Sequence, residues 1–308
     1  MGQTRIYLIL VGTMMIWGVN VSFIKILVEH FLPVTITALR IFTASLAVFF
    51  TLGIMKSVRW PQGKEWGYIF GGSLLSVVCH HYFLAEGLTE TSATNAGLIL
   101  GLGPLLTALF ATILLKGTLT IARWIGFLLG GAGVSFTVLA GGTGVSAVTA
   151  GDVDIFLAIL SQALSFILIK KAAATLDPRL LTGYMLFLGS IMLFVISLWM
   201  EPQGLTRLSG APPLVWVVFF FSAIMATAFG HMIYNYAIGK IGAAEASIFM
   251  NLSTFFSLVG AAVLLGEAML PAHLIGFIFI VSGVLLGSGS LEELWLQRKR
   301  NIHMQKRS

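Results

Sequence analysis

The sequence predicts an all-α integral membrane protein with ten transmembrane helices, arranged as two inverted five-helix repeats. Three observations predict this class: an apolar composition, ten apolar stretches of membrane-spanning length, and self-similarity between the two halves. The 308 residues are 57% hydrophobic and only 10% charged, with a mean hydropathy of +0.96. Soluble domains usually carry about 25% charged residues. The composition therefore excludes soluble, disordered, collagen-like and disulfide-rich secreted proteins.

Each predicted helix is a mostly apolar stretch of about 20 residues, the length needed to cross the hydrocarbon core of a bilayer. Charged or Gly/Pro-rich points separate the stretches. The ten spans cover residues 6–28, 34–55, 66–85, 92–115, 121–140, 153–172, 180–199, 214–237, 243–265 and 272–289. A closed β-barrel would require alternation of apolar and polar residues. Runs such as Leu186–Leu198 are apolar at odd and even positions alike, which favours helices.

The distribution of charge predicts the orientation. With the N-terminus inside, 15 of the 18 basic residues fall in inner segments. The outer segments carry the acids Glu29, Glu86, Glu90, Asp152, Glu201 and Glu267. This positive-inside pattern predicts cytoplasmic N- and C-termini. It also explains the pI near 9.6 without a nucleic-acid partner.

The two halves of the chain align with each other. At an offset of 150 or 145 residues the following pairs coincide: His81 and His231, Ala93 and Ala243, Gly133 and Gly283, Lys25 and Lys170, Pro33 and Pro178. The predicted units are residues 1–144, residues 145–290 and a basic cytoplasmic tail, residues 291–308. Because each repeat has an odd number of spans, the second enters from the opposite side of the membrane. Inverted repeats are typical of transporters that bind substrate near the bilayer midplane.

Several local motifs add a family resemblance. Trp17-Gly18 lies in the first span, and Pro33 is followed by Arg40 in the second. Span nine ends in Leu264-Leu265-Gly266-Glu267. With these features the chain resembles the drug/metabolite transporter superfamily, in its EamA-type branch. The resemblance implies a small-solute carrier, commonly an exporter of amino acids or related metabolites.

Two ionisable residues lie within predicted spans, where a charge at the helix centre costs about 2.5–3.5 kcal/mol. Arg40, about two turns into span two, is predicted to anchor a substrate carboxylate or an outer gate. The alternatives are a snorkelling side chain or a structural pair with Glu29. Lys25 lies on one helical stripe with Ser22 and Glu29, so snorkelling is favoured over a role in coupling.

Span eight holds the densest polar cluster. His231, Tyr234 and Asn235 stand at i, i+3 and i+4 and therefore share one helical face. Imidazole titrates near neutral pH, so His231 is a candidate for proton coupling, and a packing histidine is the alternative. His81 inherits this interpretation as its repeat partner, whereas His80 is expected to face away from the same cavity.

The remaining polar residues of the spans predict a central binding site. The predicted substrate-binding residues are Trp17, Asn20, Gln162, Tyr234, Asn235 and Asn251. Hydrogen bonding between helices is the alternative role for such groups. The histidines and the lone Cys79 lack the spacing of metal ligands, so neither a metal nor another cofactor is expected.

These residues predict a secondary transporter, an exporter of a small polar metabolite such as an amino acid, working by alternating access. No Walker loop or paired catalytic groups occur, which argues against ATP-driven pumping and against an enzyme. The alternatives are a non-coupled facilitator and a non-transporting membrane receptor or scaffold. The expected location is a prokaryotic inner membrane, with membrane lipid and a small-molecule substrate as partners. A homodimer is left open.

Overall fold

The computed structural model describes residues 3–114, 120–140 and 148–287, and within these ranges the chain is helical without a strand. Eight continuous helical stretches are long and apolar enough to cross a membrane. They cover Arg5–His30, Pro33–Ile54, Glu65–Glu90, Ala93–Leu114, Ala150–Ala172, Pro178–Met200, Pro213–Ile241 and Ala243–Leu265. Two shorter apolar stretches, Trp124–Phe136 and Pro271–Leu286, complete the set. The prediction of an all-α membrane protein with ten helices is confirmed.

Four of these stretches are divided into shorter pieces. The α-helices in chain order are α1 (Gln3–His30), α2 (Pro33–Ile54), α3 (Glu65–Gly72), α4 (His80–Glu90), α5 (Ala93–Leu100), α6 (Gly103–Leu114), α7 (Ile121–Ala140), α8 (Ala150–Ala172), α9 (Pro178–Met200), α10 (Pro213–Phe221), α11 (His231–Ile241), α12 (Ala243–Ile248), α13 (Met250–Leu265) and α14 (Pro271–Gly287). A short 3₁₀ turn, Thr206–Leu208, precedes α10.

Two π-helical segments divide the third and eighth spans. Ser73–Cys79 joins α3 to α4, and Ser222–Gly230 joins α10 to α11. At the 150-residue offset of the repeat the first segment falls within the second, and a histidine directly follows each, His80 or His231. π-helical turns are rare and are found frequently at functional sites. Their recurrence shows that the two repeats share an irregular backbone as well as a helix count.

The two repeats pack into one another. The most extensive helix pairings, α7 with α14, α2 with α9, α1 with α13 and α4 with α8, each join one helix from each repeat. Glycine permits the closest of these approaches. A Cβ atom added at Gly283 would lie 2.6 Å from the backbone nitrogen of Gly130 and 2.7 Å from the carbonyl oxygen of Gly126. The glycines of the fifth and tenth spans therefore bring two backbones into direct contact.

Carboxylates cap helix N-termini at one end of the molecule, which we call the acidic end because Glu29, Glu86, Glu90, Glu201 and Glu267 lie there. Glu201 accepts hydrogen bonds from the backbone N–H groups of Val34 (2.9 Å) and Thr35 (2.7 Å) at the start of α2. Glu267 accepts from Ala93 (2.8 Å) and Thr94 (2.9 Å) at the start of α5. Each contact satisfies unpaired donors and places a negative charge at the positive end of a helix dipole.

Two lysines at equivalent repeat positions cap helix C-termini. The Lys25 ammonium donates to the carbonyl oxygens of Leu88 (2.8 Å) and Thr91 (3.2 Å) where α4 ends. The Lys170 ammonium donates to Gly239 (3.0 Å) near the end of α11, on the opposite side of the molecule. A cation at this position is favourable to the helix dipole. Lys25 also lies 3.8 Å from Glu29, so its contacts give it a structural role.

We expect Gly283→Ala to destabilise the protein by about 1–3 kcal/mol, because the added methyl group would meet backbone atoms that have little room to move. Thermal unfolding of the purified protein in detergent measures the effect. Gly131→Ala is the matched control, since a Cβ atom there meets nothing within 4 Å. Equal melting temperatures for the two variants would contradict the proposed backbone contact between α7 and α14.

Candidate functional site

A cavity of about 70 Å³ lies between the two repeats. It is walled by spans one, three and four of the first repeat and by their counterparts six, eight and nine of the second. The lining residues are Trp17, Asn20, Val21, Ile24, His80, His81, Leu84, Gly97, Leu100, Ile159, Gln162, Ala226, Thr227, His231, Met250, Ser253, Thr254 and Ser257. Its volume accommodates several water molecules. Equal contributions from both repeats place the cavity where an inverted-repeat transporter would hold its substrate.

The structure brings five of the predicted site residues together in this cavity. They are Trp17, Asn20, His81, Gln162 and His231. The other four predicted residues, Arg40, Tyr234, Asn235 and Asn251, lie outside its lining.

Trp17 forms an aromatic wall that is fixed by contacts behind it. Its indole N–H donates to the carbonyl oxygen of Ala226 (2.8 Å) in the second π-helical segment. Its ring centroid lies 5.0 Å from that of His231 and 4.9 Å from that of Tyr234. Tyr234 also contacts Phe166, with the ring centroids 5.0 Å apart. Tyr234 therefore supports the wall from behind.

The two asparagines outside the lining make bonds elsewhere. The Asn235 amide donates to the Thr182 hydroxyl (2.9 Å) and thereby joins α11 to α9. The Asn251 amide donates to the carbonyl oxygen of Ile248 (2.8 Å), across the break between α12 and α13. The Asn235 contact joins two spans, which is the alternative role that the sequence left open for such amides. The Asn251 contact stays within span nine.

Arg40 lies directly behind the cavity with only 1% of its surface exposed. Its guanidinium donates to Thr227 (2.7 Å), to Ser222 (3.5 Å) and to Nδ1 of His81 (3.3 Å). No carboxylate forms an ion pair with it in the part of the chain that the structure describes. The two structural alternatives for Arg40 are therefore wrong: a buried group does not snorkel, and Glu29 lies beside Lys25 instead.

The bond from Arg40 fixes the tautomer of His81. A guanidinium has only donor hydrogens, so Nδ1 of His81 must accept through its lone pair. The proton of the neutral ring is then on Nε2. This Nε2 atom is buried and has no hydrogen-bond partner among the described residues. His81, a residue of the cavity lining, therefore has an unsatisfied N–H donor.

His80 lines the same cavity, contrary to the sequence-based expectation. The rings of His80 and His81 lie 4.7 Å apart at an interplanar angle of 63°. Nδ1 of His80 contacts the carbonyl oxygen of Ala158 (3.0 Å) in α8. The expectation was wrong because the cavity extends around α4, with helices of the second repeat on either side. Two adjacent residues can therefore both reach it.

Acceptor and hydroxyl groups complete the polar lining. The side-chain oxygens of Asn20 and Ser257 are buried and have no partner among the described residues. The Gln162 side-chain oxygen accepts from Ser76 (3.4 Å) in the first π-helical segment. Buried polar groups normally find partners, so three lining residues with an unpaired polar atom make the cavity suited to a polar ligand.

Sequence reasoning missed Ser222 and Thr227, the two hydroxyls that bind Arg40. They are five residues apart, and the Thr227 hydroxyl donates to the Ser222 carbonyl oxygen (2.9 Å). A search for polar stripes at α-helical spacing, i+3 and i+4, overlooks a pair with the i+5 period of a π-helix. The signal that points to this pair is the aligned position of the two π-helical segments, Ser73–Cys79 and Ser222–Gly230, in the two repeats.

The second repeat has an apolar residue where the first has Arg40. At the 145-residue offset Arg40 corresponds to Met185, and at the 150-residue offset Ser222 corresponds to Gly72. Met185 packs on Gly72 so closely that a Cβ atom there would lie 2.4 Å from its sulfur. The same helix contact is thus polar in one half of the molecule and apolar in the other. The first repeat therefore places a charged side chain, Arg40, behind the cavity, whereas the second has the apolar Met185 at the equivalent position.

Comparison with known proteins agrees with this architecture. The model of the EamA-like transporter family matches residues 4–139 and 149–289, once for each repeat. The chain belongs to the EamA-like transporter family. This family membership and the apolar helices establish a multi-pass membrane transporter.

Individual relatives align over nearly the whole chain. The uncharacterized transporter YyaM of Bacillus subtilis (strain 168) is 29% identical, covering 94% of this chain and 95% of its own. A protein of Streptantibioticus cattleyicolor named "probable terminal-alkyne amino-acid exporter" is 22% identical over 90% of this chain and 91% of its own. A crystal structure with 19% identity has a TM-score of 0.65 and covers 95% of this chain and 99% of its own. That structure supports the fold alone.

We expect Thr227→Val to destabilise the protein by about 1–3 kcal/mol, because the buried guanidinium of Arg40 would lose its 2.7 Å acceptor. Chemical or thermal unfolding in detergent measures the change. Thr43→Val is the control, since the Thr43 hydroxyl donates only within its own helix, to Leu39 (2.9 Å). If the two variants unfold alike, the Arg40–Thr227 bond contributes nothing to stability.

Proposed function

We propose that this protein is a secondary transporter that exports a small carboxylate-bearing metabolite, an amino acid or an analogue, by alternating access. The observation that carries the proposal is the buried guanidinium of Arg40 directly behind the cavity, which forms no ion pair within the described ranges. Arginine is charged at all physiological pH values. A charge in a low-dielectric interior is costly without an opposite charge, and a substrate carboxylate supplies one.

His81 and Arg40 together favour an anionic group on the substrate. The Arg40 bond to Nδ1 leaves the Nε2–H of His81, a residue of the cavity lining, as a donor without a partner among the described residues, and this donor is available to a substrate anion. No aspartate or glutamate is among the described residues that line the cavity. A carboxylate accepts from such a donor and is attracted by the positive charge behind it.

Groups on the facing helices suit the amino end of the same substrate. The open oxygen of Asn20 is an acceptor for an ammonium group. The Trp17 ring offers a face for a cation–π contact or for an apolar side chain. Gln162 adds an amide. Trp17, Asn20 and Gln162 are therefore the proposed substrate-binding residues, with Tyr234, Asn235 and Asn251 supporting them.

The arrangement of the repeats supports alternating access. Three spans of each repeat wall the cavity, so rocking of one repeat against the other would expose it to either side. We place the protein in a prokaryotic inner membrane, with the acidic end outside. The name of the Streptantibioticus cattleyicolor relative supports amino-acid export. A facilitator without coupling is the nearest alternative, and a receptor that does not transport is a second.

Uptake of a labelled amino-acid panel into proteoliposomes tests the proposal. We expect saturable uptake by the wild-type protein. Arg40→Met should lower the affinity for the substrate by about 30-fold or more, equivalent to about 2 kcal/mol for a buried charge pair. The melting temperature should not fall, because methionine already occupies the equivalent position of the second repeat at Met185.

Arg207→Met is the control for loss of an arginine elsewhere. Unchanged affinity of Arg40→Met would refute the role of the guanidinium. A panel of neutral sugars and nucleosides taken up in place of amino acids would refute the carboxylate substrate.

We also propose that His231 carries the proton in a coupled cycle. His231 faces the cavity beside Trp17, and its ring lies 5.4 Å from that of His81. His80, His81 and Arg40 are the titratable groups around it. Because Nδ1 of His81 is occupied by Arg40, a second proton on His81 would face a guanidinium, which leaves His231 the better proton acceptor.

An imposed pH gradient should therefore accelerate uptake by the wild-type protein but not by His231→Gln, which retains binding of the same substrate. The matched variant His30→Gln lies on the exposed end of α1 and should keep the gradient dependence. Uptake that is indifferent to the gradient in the wild type would support a facilitator.

A further inference from the structure

Two adjoining concavities lie at the end of the molecule opposite the acidic end, which we call the basic end because Arg59, Lys170, Lys171, Arg179 and Lys240 lie there. The polar concavity has a volume of about 360 Å³ and is walled by the connection between α8 and α9 and by the end of α11. The apolar concavity has a volume of about 220 Å³ and is walled by α1 and α11. Arg179 and Tyr236 line both. The two concavities therefore adjoin each other at these two side chains.

Two cations flank the shared tyrosine. The Arg179 guanidinium lies 5.3 Å from the centroid of the Tyr236 ring, and the Lys240 ammonium lies 5.4 Å from it. Such contacts with the ring are attractive and hold both charges at the junction of the concavities. The junction is thus positively charged and aromatic.

The net charge around the polar concavity is positive. Asp177 is the acid among its lining residues, and it forms an ion pair with Arg179 (2.6 Å). Lys240 is not in an ion pair within the described ranges. Lys170 adds a third cation, since its ammonium donates to the lining residue Gly239 (3.0 Å). An anion in this concavity would meet an excess of positive charge.

The apolar concavity continues from this charged junction along the hydrophobic flank of the protein. Apart from Arg179 and Tyr236 it is lined by Ile6, Ile9, Met232, Ile233 and Ala237. Ile9 is 38% exposed and belongs to a helix that is long and apolar enough to span the membrane. A hydrocarbon chain in this concavity would lie parallel to α1 and α11.

We propose that these concavities form a binding site for one anionic phospholipid of the adjacent leaflet. The phosphate would lie beside Lys240 and Arg179 in the polar concavity, and an acyl chain would lie against Ile9 and Ile233. Basic pockets between membrane helices on the cytoplasmic side are suited to anionic headgroups. A soluble phosphate would use only the polar part, whereas a polar and an apolar concavity side by side at Tyr236 suit the headgroup and acyl chain of a lipid.

A lipid bound at this site would contact two helices that also line the central cavity between the repeats. Its apolar wall consists of α1, which carries Trp17 and Asn20, and α11, which carries His231. An acyl chain between these helices would hold them together at the basic end, while the carboxylate caps hold the acidic end. We therefore expect bound lipid to stabilise the folded protein.

Native mass spectrometry of the full-length protein tests the site. Delipidated protein in detergent is titrated with palmitoyl-oleoyl phosphatidylglycerol or, separately, with palmitoyl-oleoyl phosphatidylcholine. We expect one tightly bound phosphatidylglycerol, no equivalent phosphatidylcholine, and about fivefold weaker phosphatidylglycerol binding by Lys240→Gln, the effect of one basic side chain near an anionic lipid. Lys171→Gln is the control, since it removes the same charge from the same end outside both concavities.

Two further measurements distinguish a lipid site from a site for a soluble anion. Ile9→Ser should weaken phosphatidylglycerol binding while leaving charge unchanged, and sodium phosphate should not displace the lipid. Equal weakening by Lys240→Gln and Lys171→Gln would overturn the site in favour of general attraction to the basic end. Displacement by sodium phosphate would indicate a soluble-anion site. Equal binding of phosphatidylcholine would show that charge is not recognised.

Discussion

The centre of this molecule is organised around one guanidinium that has no carboxylate partner among the residues that the structure describes. Arg40 holds Thr227 and Ser222 of the second π-helical segment and Nδ1 of His81 from the other side. These three bonds orient groups from both repeats and leave the charge itself uncompensated. A protein that needed only stability would be better served by an apolar residue, because a buried charge is costly. The equivalent position in the second repeat, Met185, is such a residue.

Charged side chains at the helix ends form hydrogen bonds with backbone N–H and C=O groups. These groups would have no hydrogen-bond partner in the hydrocarbon of the membrane. Glu201 and Glu267 accept from helix N-termini, and Lys25 and Lys170 donate to helix C-termini. Nearly all of these contacts link separate spans. These four charged residues thus connect helices, and the helix dipoles determine which sign is favourable at each position.

The apolar composition and the length of the apolar stretches were sufficient to predict the ten spans, because the bilayer constrains both so strongly. Alignment of the two halves with each other was sufficient to predict the repeat. The site was predictable only in part. Trp17, Asn20 and Gln162 were found because polar groups in apolar spans are conspicuous. Thr227 was missed because its partner is at a π-helical spacing. The relation between Arg40 and His81 depends on a contact between residues 41 positions apart, which no local pattern encodes.

The interlocked repeats have a consequence for biosynthesis. The glycine face of α7 is covered by α14, and α2 is covered by α9, so the partners are separated by about 150 residues of chain. At translation rates of about 5–20 residues per second, the first repeat waits about 8–30 seconds for its partners to leave the ribosome. During that interval its inward faces, including Arg40 and the glycines of α7, are open to lipid and to quality-control machinery. Helix α14, the last described helix to be synthesised, therefore completes the packing of α7 in the first half.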